Sequence, residues 1–206
     1  MGRTPLFDRT TVVRSARDLF WVRGFEGTSI AQLESATGLH RSSLYHCFGS
    51  KRGLFDVALD DYLDTVIRPR LRVLRTEPAG ADAVLRYLSS VRVAIESLPD
   101  DAARRGCLLV GCAAGLAGQD EAAREFVAAY WDEFTAALRQ ALTIAGDPRV
   151  GAGVVDQRAR TIAAMSTSAM LLDRVDRVEQ LAILAAAEAL VRSWFSPVDE
   201  PGVTPA

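Results

Sequence analysis

The sequence has few of the residues that build metal sites and catalytic centres. Its 206 residues include three cysteines, Cys47, Cys107 and Cys112, and two histidines, His40 and His46. The cysteines are odd in number and lack CxxC spacing, so neither a disulfide framework nor a four-cysteine zinc site is expected. Because both histidines lie near the amino terminus, a histidine-based catalytic centre in the rest of the chain is excluded. We expect no metal and no cofactor.

Common catalytic motifs are missing as well. There is no GxSxG nucleophile turn and no HExxH pair. Gly106 and Gly111 have the spacing that begins a phosphate-binding loop. However, Cys112 and Ala113 stand where that loop needs Lys and Ser or Thr, and no strand precedes them. The sequence therefore predicts a protein that is not an enzyme.

Long apolar runs are also lacking. No run approaches the roughly 18–20 residues that a membrane helix needs, and the first residues, MGRTPLFDRTT, lack the apolar core of a secretory signal. We therefore expect a cytoplasmic protein without a membrane partner. There is no strand-like alternation, no internal repeat and no low-complexity linker.

Charge is unevenly distributed along the chain. The net charge is −2, but residues 1–52 hold eight basic and four acidic residues, or +4, and the remainder holds 16 basic and 22 acidic residues, or −6. A basic head on an acidic body favours local contact with DNA. From charge alone, a solvated helix face that is rich in arginine is an equally good interpretation.

Apolar residues recur at helical spacing in nine segments. They predict helices at 8–23, 28–37, 41–47, 51–76, 81–98, 104–118, 120–145, 155–172 and 178–195. Gly24 suits the end of the first helix, and Gly38 suits a left-handed turn after the second. Pro69 predicts a kink or break near Arg68 in the fourth helix, because proline lacks an N–H and clashes with the preceding turn. We expect an all-α fold of about nine helices.

The stretch 28–54 reads as a helix, a tight turn at 37–40, a second short helix and the start of a long third one. In the short helix Leu44 and Phe48, at positions i and i+4, face inward. Its other residues are mostly hydrogen-bond donors with no acid among them: Arg41, Ser42, Ser43, Tyr45 and His46. Hydrogen-bond donors with no acid among them suit the anionic groove of DNA. The stretch is therefore interpreted as a DNA-binding head.

This stretch resembles the DNA-binding domain of the TetR family of transcriptional repressors. The matching residues, at the family's spacing, are Gly24-Phe25, Thr28-Ser29, Gly38-Leu39, Ser43-Leu44-Tyr45, Phe48 and Ser50-Lys51. The match covers about residues 10–55, and beyond it only the pattern of helices is similar. The resemblance implies a helix-turn-helix head, an all-helical homodimer, an inducer pocket in the body, and release from operator DNA when ligand binds.

The resemblance also implies roles for individual residues. Expected DNA contacts are Thr28, Ser29, His40, Arg41, Ser42, Ser43, Tyr45, His46 and Lys51. The first two resemble phosphate contacts at a helix start, and Lys51, the chain's single lysine, resembles a phosphate-binding lysine. The arginine could bond guanine bidentately. For each, a solvated polar side chain is the alternative, and for His46 an interior histidine is another.

Two positions depart from the family pattern. His40 stands where the family usually has a serine or threonine cap, and because histidine caps poorly it is expected to touch DNA instead. Cys47 replaces a more common aromatic residue or histidine. We expect a helix-turn-helix domain at 1–52, a ligand-binding and dimerisation domain at 53–196, and a disordered tail at 197–206.

The body is expected to bind a small, apolar or electrophilic effector. The candidate residues are Tyr87, Cys107, Cys112, Tyr130, Trp131, Phe134 and Met165. The segment Gly106-Cys107-Leu108 resembles one in a TetR subgroup that includes electrophile-sensing members. Arg104 and Arg105 could lower the pKa of Cys107 if they point toward it. Core aromatic residues and inert buried cysteines are the alternative interpretation.

The last two helices, at about 155–195, are rich in alanine and serine. Small residues let helices approach closely, so these helices are expected to form a four-helix bundle between two copies of the chain. Ordinary packing within one chain is the alternative. The favoured function is a ligand-responsive repressor that binds operator DNA as a homodimer. The alternatives are a constitutive architectural DNA binder, and a helical small-molecule carrier or enzyme in which DNA binding is secondary.

Overall fold

The computed structural model describes residues 7–99, 102 and 106–196, and all the regular structure in these ranges is helical. The elements are α1 Arg9–Arg23, α2 Ile30–Thr37, α3 Arg41–Phe48, α4 Lys51–Tyr62, a π turn Leu63–Ile67, α5 Arg68–Leu71, a 3-10 turn Arg72–Arg75, α6 Ala81–Glu96, α7 Leu108–Ala114, a 3-10 turn Leu116–Gly118, α8 Glu121–Ala145, α9 Ala152–Leu172 and α10 Arg177–Phe195. Because α4, the π turn and α5 form one continuous rod, the described chain forms nine helices. The prediction of an all-α fold is confirmed. The tail predicted at 197–206 lies outside the described residues.

The head is built from α1, α2 and α3, which pack against the beginning of α4. Its core is aromatic: the buried Phe55 on α4 meets Phe20 of α1 edge-on, with ring centroids 4.9 Å apart, and lies 5.0 Å from Phe25. Phe55 thus closes the head core from beyond the predicted boundary at residue 52. The first turns of α4 therefore serve the head and the rod at once.

Of the kink or break predicted near Arg68, the break does not occur, because the helix continues past Pro69. The turn directly before it widens into the π turn, in which the N–H of Arg68 donates to the carbonyl of Leu63. A π turn places one extra residue in the helix, which accommodates the missing donor and the ring of proline without ending the helix. The rod therefore runs from the head to Arg75 in the body.

The helix predicted at 104–118 is shorter in the structure. Gly106 has a φ of +75° and Cys107 is extended, so α7 begins at Leu108 and ends before Gly115. Leu108, Leu109 and Cys112 face the core, while Gly111 and Ala114 are exposed. The shorter helix leaves a bend that faces the head.

The body consists mainly of α6, α8, α9 and α10, packed against one another. Fully buried alanines at their contacts, such as Ala137, Ala163 and Ala187, let the backbones approach closely. Large side chains such as Leu138 and Ile162 fill the remaining core. Among the described residues no helix is both long enough and apolar enough to cross a membrane.

Candidate nucleic-acid interface

The second helix begins with a complete capping box. The hydroxyl of Ser29 accepts a hydrogen bond from the N–H of Gln32 at 3.2 Å, and the Gln32 side chain accepts one from the N–H of Ser29 at 2.9 Å. This reciprocal pair satisfies two of the free amides at the helix start and fixes the direction of the helix. Ser29 is exposed, so the positive end of the α2 dipole faces solvent.

The turn between α2 and α3 is held from both sides. Gly38 adopts the left-handed conformation that the sequence predicts, with φ +71° and ψ 8°. His40 occupies the N-cap of α3 without a side-chain cap. The carboxylate of Glu34 on α2 supplies that cap, accepting the N–H of Arg41 at 2.6 Å. Sequence reasoning missed Glu34, since an acid in a basic head carries no local signal of capping the next helix.

The third helix presents the donor-rich face that the sequence predicts. Leu44 and Phe48 are buried and anchor it, while the opposite side of the helix is open to solvent. The guanidinium of Arg41 lies 5.2 Å from the centroid of the Tyr45 ring, at position i+4, which holds the arginine along the helix surface. The exposed or half-exposed predicted contacts on and beside this helix are His40, Arg41, Ser42, Ser43, Tyr45 and His46.

The start of α4 adds a cation beside this face. Lys51 places its ammonium 4.3 Å from the centroid of the Phe25 ring, so the head core positions the charge. Ser50 caps the helix by accepting the N–H of Gly53 at 2.9 Å. A Cβ on Gly53 would lie 2.1 Å from the carbonyl oxygen of Phe48, so only glycine allows α3 and α4 to meet this closely. The same closeness keeps Lys51 next to α3.

One predicted DNA contact is buried. The Thr28 side chain is 1% exposed, and its hydroxyl donates to the carbonyl of Gly24 at 2.7 Å. The other eight predicted residues are exposed or half-buried, while Thr28 lies inside the head. A serine or threonine before a helix suggests a cap or a phosphate contact, and the sequence offers no way to separate Thr28 from Ser29.

Polar contacts join the head to the body. The guanidinium of Arg17 on α1 donates to Asp61 at 2.7 Å and to Thr65 at 3.0 Å, both on the rod. Arg174, after α9, donates to the carbonyls of Trp21 and Val22 at the end of α1, at 2.6 and 2.8 Å. A cation at a helix C-terminus satisfies free carbonyls and complements the dipole. No local pattern in the sequence indicates these long-range contacts.

A third connection joins the start of the rod to the body. Arg52 forms ion pairs with Asp56 and with Asp120, the N-cap of α8. The backbone N–H of Ala123 and the guanidinium of Arg52 hold the pKa of Asp120 below its ordinary value. The start of the rod is therefore bound to the start of the longest body helix.

The predicted ligand residues fall into two groups. Tyr87, Tyr130 and Phe134 form an aromatic cluster with ring centroids 5.4 and 6.1 Å apart, in which the first and last are buried. Trp131 and Met165 are partly buried against the same core. Their packing matches the alternative interpretation of core aromatic residues. Burial raises the pKa of Tyr87, so its phenol stays neutral.

The two predicted cysteines line a cavity instead. The junction cavity, of about 350 Å³, lies between the end of α1 and α7, and its walls include Trp21, Phe25, Cys107, Cys112 and Met170. Burial raises the pKa of the Cys112 thiol to about 11. The predicted influence of Arg104 and Arg105 on Cys107 lies outside the described residues. Within the described ranges, no group of three or more metal-ligating side chains could hold a metal ion.

Sequence comparison matches the head to a described family. Residues 12–58 match the family model for bacterial regulatory proteins of the tetR family. The repressor ComR of Escherichia coli K12 is 34% identical over 110 residues, covering 53% of this chain and 51% of ComR. The repressor BdcR of the same organism is 30% identical over 135 residues, covering 63% of each chain. The chain thus aligns with between half and two-thirds of the length of these curated relatives.

Comparison with solved structures extends over the whole chain. A cysteine-substituted form of the TetR family regulator CifR, complexed with 26-base-pair operator DNA, is 34% identical, with a TM-score of 0.74, and the match covers 94% of this chain and all of that one. Reduced NemR of E. coli shares the fold at 22% identity, with a TM-score of 0.76. This likeness spans head and body together, so the chain belongs to the TetR family of transcriptional regulators.

Proposed function

We propose that this protein is a ligand-responsive repressor that binds a pseudo-palindromic operator as a homodimer. In this proposal α3 enters the major groove, and two copies of α3 in one dimer reach successive grooves about 34–36 Å apart. A small effector in the body favours a conformation with another spacing between heads. The proposal draws support from the operator complex of CifR and from the repressor names of ComR and BdcR.

The observation that carries the proposal is the solvent-facing side of α3. It exposes Arg41, Ser42 and His46, and the acid that contacts it, Glu34 of α2, is occupied in capping the helix. In our proposal Arg41 reads a base edge, since its fork matches guanine O6 and N7. Ser29 and Lys51 position the head on phosphates. The remaining proposed contacts are His40, Ser43 and Tyr45.

Selection from random double-stranded DNA, followed by fluorescence anisotropy, tests this proposal. We expect wild-type protein to select an inverted repeat. Arg41→Ala should lose about 10- to 100-fold in affinity for that site and relax preference at one base position, because a bidentate base contact is worth about 1–3 kcal/mol. Lys51→Ala should weaken binding to all sequences and reduce the salt dependence. Arg75→Ala, an exposed arginine far along the rod, is the matched control. Unchanged affinity in Arg41→Ala would sink the proposal.

We further propose that α9 and α10 form the dimer interface. Both helices expose small residues, including Ala164, Ser168, Ala185, Ala186 and Ala189. Leu171 near the end of α9, Val175 in the turn and Val178 at the start of α10 are also exposed, at 59%, 78% and 80%. Small residues on adjoining helices, next to exposed apolar side chains, suit a four-helix bundle with a second copy.

Sedimentation equilibrium tests the interface. Ala186→Arg places a charge in the middle of the proposed bundle and should give monomers with weaker DNA binding. Val93→Arg, at an exposed apolar position on α6, is the control and should remain dimeric. Dimers of equal strength in both variants would place the interface elsewhere.

For the effector we propose that Cys107 lines its site. Cys107 is half-buried and faces the junction cavity, where Trp21 of the head forms part of the wall. An adduct there would press on α1. Alkylation with a small maleimide should lower operator affinity of wild type and leave Cys107→Ala unaffected. Equal loss of affinity in both proteins would contradict this role.

A further inference from the structure

A second cavity lies where the head, the rod and the body meet. It encloses about 490 Å³ and is separate from the junction cavity, although Trp21, Gly106 and Met170 contribute to both. Its apolar walls include Val66, Val91, Ile95 and Leu98. Three charged side chains also line it, and none was a predicted ligand residue. Arg17 is already paired with Asp18 and Asp61, which leaves Asp173 and Arg70.

The first of these is Asp173, directly after α9. Its side chain is 2% exposed, and its Oδ2 accepts no hydrogen bond from any residue that the structure describes. A buried carboxylate without donors loses its hydration and regains nothing, which costs several kcal/mol by order of magnitude. Native structures rarely leave such a group alone without a reason. Among the described residues, Oδ2 of Asp173 therefore lacks a hydrogen-bond donor.

The second is Arg70, on α5 of the rod. It is half-buried, and within the described ranges no carboxylate pairs with it. Its side chain lines this cavity together with Val91 and Ile95 of α6. Its charge opposes the effect of burial, which raises the pKa of the Tyr62, Tyr87 and Tyr130 phenols. An arginine fork facing a cavity is the usual protein partner of a carboxylate or phosphate.

We propose that this cavity binds a small zwitterion, with its anionic group on Arg70 and its ammonium group on Asp173. The apolar part of the ligand lies against Val66 and Ile95. The inference rests on the proposed function, since it names the chemical class of an effector. This effector site is separate from the adduct site proposed at Cys107 in the junction cavity, and it does not include the aromatic cluster around Phe134.

Occupancy of the cavity acts on the head through two of its walls. Arg17 and Trp21 of α1 line the cavity, and so do Thr65 and Val66 of the π turn. Arg17 bridges α1 to Thr65, and Trp21 donates its indole N–H to the carbonyl of Gly106 at 3.2 Å. A ligand that fills this space bears on both contacts, one between α1 and the rod and one between α1 and the bend before α7. Its differential affinity for two positions of α1 sets the size of the response.

Calorimetry on DNA-free protein tests the inference with ω-amino carboxylates of six to twelve carbons as probes. Fatty acids and alkylamines of the same lengths are the matched probes with one charge each. We expect at least one ω-amino carboxylate to bind about tenfold or more tightly than either matched probe, because each charged contact contributes on that scale. No preference for the zwitterion at any length would overturn the inference.

Three variants test which residue binds each charged end of the ligand. Arg70→Gln should reduce the affinity of the best zwitterion to that of the matched amine, and Asp173→Asn to that of the matched fatty acid. Arg75→Gln, an exposed arginine on the same rod, should bind like wild type. Thermal stability of Asp173→Asn should be equal to or above that of wild type, because an unpartnered charge is removed from the interior. Undiminished zwitterion affinity in Arg70→Gln or Asp173→Asn would refute the assignment.

The same proteins separate this inference from the proposed function. Operator affinity of wild type without ligand is measured by anisotropy, independently of the calorimetry. Wild type that binds no selected DNA would overturn the proposed function. Wild type that binds DNA but shows no zwitterion preference would overturn the inference alone. A bound zwitterion that lowers operator affinity about tenfold is the result expected when both hold.

Discussion

The head and the last two body helices expose opposite kinds of surface. On the head, α3 buries two apolar residues and presents Arg41, Ser42 and His46 to solvent. On the body, α9, α10 and the turn between them expose alanines together with Leu171, Val175 and Val178. The head surface suits an anion, and the body surface suits a second apolar surface. The contrast lies in which side chains each helix leaves uncovered.

The two regions also differ in how they are held together. The head has an aromatic core around Phe20 and Phe55, and its helices of eight residues depend on caps. The body has helices of up to 25 residues joined through alanine contacts. Short helices gain little from propensity, so the head depends on the rod for its stability. Variants at the contacts among head, rod and body test this dependence.

Phe55→Ala should produce the largest change. Phe55 is 1% exposed and completes the head core from the rod. We expect a loss of about 3–5 kcal/mol in the free energy of unfolding, as for other buried phenylalanines. The head should melt before the body in calorimetry, which would separate the two regions. A single transition with an unchanged midpoint would show that the head does not depend on this contact.

Gly53→Ala should have the next largest effect. The added Cβ would meet the carbonyl of Phe48 at 2.1 Å, and backbone atoms cannot yield as a side chain can. We expect a loss of about 1–3 kcal/mol by chemical denaturation, with weaker DNA binding because α3 shifts against α4. Gly111→Ala in α7, where a Cβ meets nothing within 4 Å, is the control and should be neutral or stabilising. Equal stability of both variants would argue against close packing of α3 on α4.

Ser29→Ala should cost less, about 1 kcal/mol, because it removes one half of the capping box. Ser29→Asp keeps a capping oxygen and adds a negative charge. It should therefore retain stability and lose DNA affinity, which separates the cap from the proposed phosphate contact. If Ser29→Asp binds DNA as wild type does, Ser29 does not approach a phosphate.

Asp120→Asn should have the smallest effect, and that effect should depend on pH. The folded pKa of Asp120 is held below its ordinary value, so its charge stabilises the fold above about pH 4, the unfolded pKa. This contribution disappears as the pH falls through the folded pKa. The melting temperature of the variant should therefore be lower than that of wild type at pH 7, and the difference should shrink in acid.

Glu121→Gln, which removes an exposed acid one residue later, serves as the control for Asp120→Asn. It should melt like wild type at every pH. A pH-independent difference between Asp120→Asn and wild type would mean that the pairing of Asp120 with Arg52 contributes little to joining head and body.

Local sequence predicted most of the fold. Helical spacing predicts the nine helices, and Gly24 and Gly38 mark the ends of α1 and α2, where the structure has positive φ angles. The prediction failed where a distant contact or an unusual turn decides the outcome. Pro69 suggested a break, but the π turn carries the helix past it. The helix predicted from residue 104 begins at Leu108, because Gly106 and Cys107 bend the chain toward Trp21.

Local sequence likewise predicted some features of the site and not others. Amphipathic spacing placed Arg41 and Tyr45 on the open side of α3, since the positions of Leu44 and Phe48 leave no other arrangement for a helix. Burial of Thr28 depends on the carbonyl of Gly24 across a turn, which no periodicity encodes. The aromatic residues around Phe134 are apolar in sequence, and only packing decides between core and pocket.

Which segments are helical, and which face of each helix is apolar, can be read from the sequence, because both depend on side chains three and four residues apart. Where charges from distant segments meet depends on the tertiary structure. Asp173 and Arg70 are 103 positions apart and line one cavity, and Arg174 reaches back to the end of α1. Such meetings depend on how nine helices pack, and local spacing contains no information about that packing.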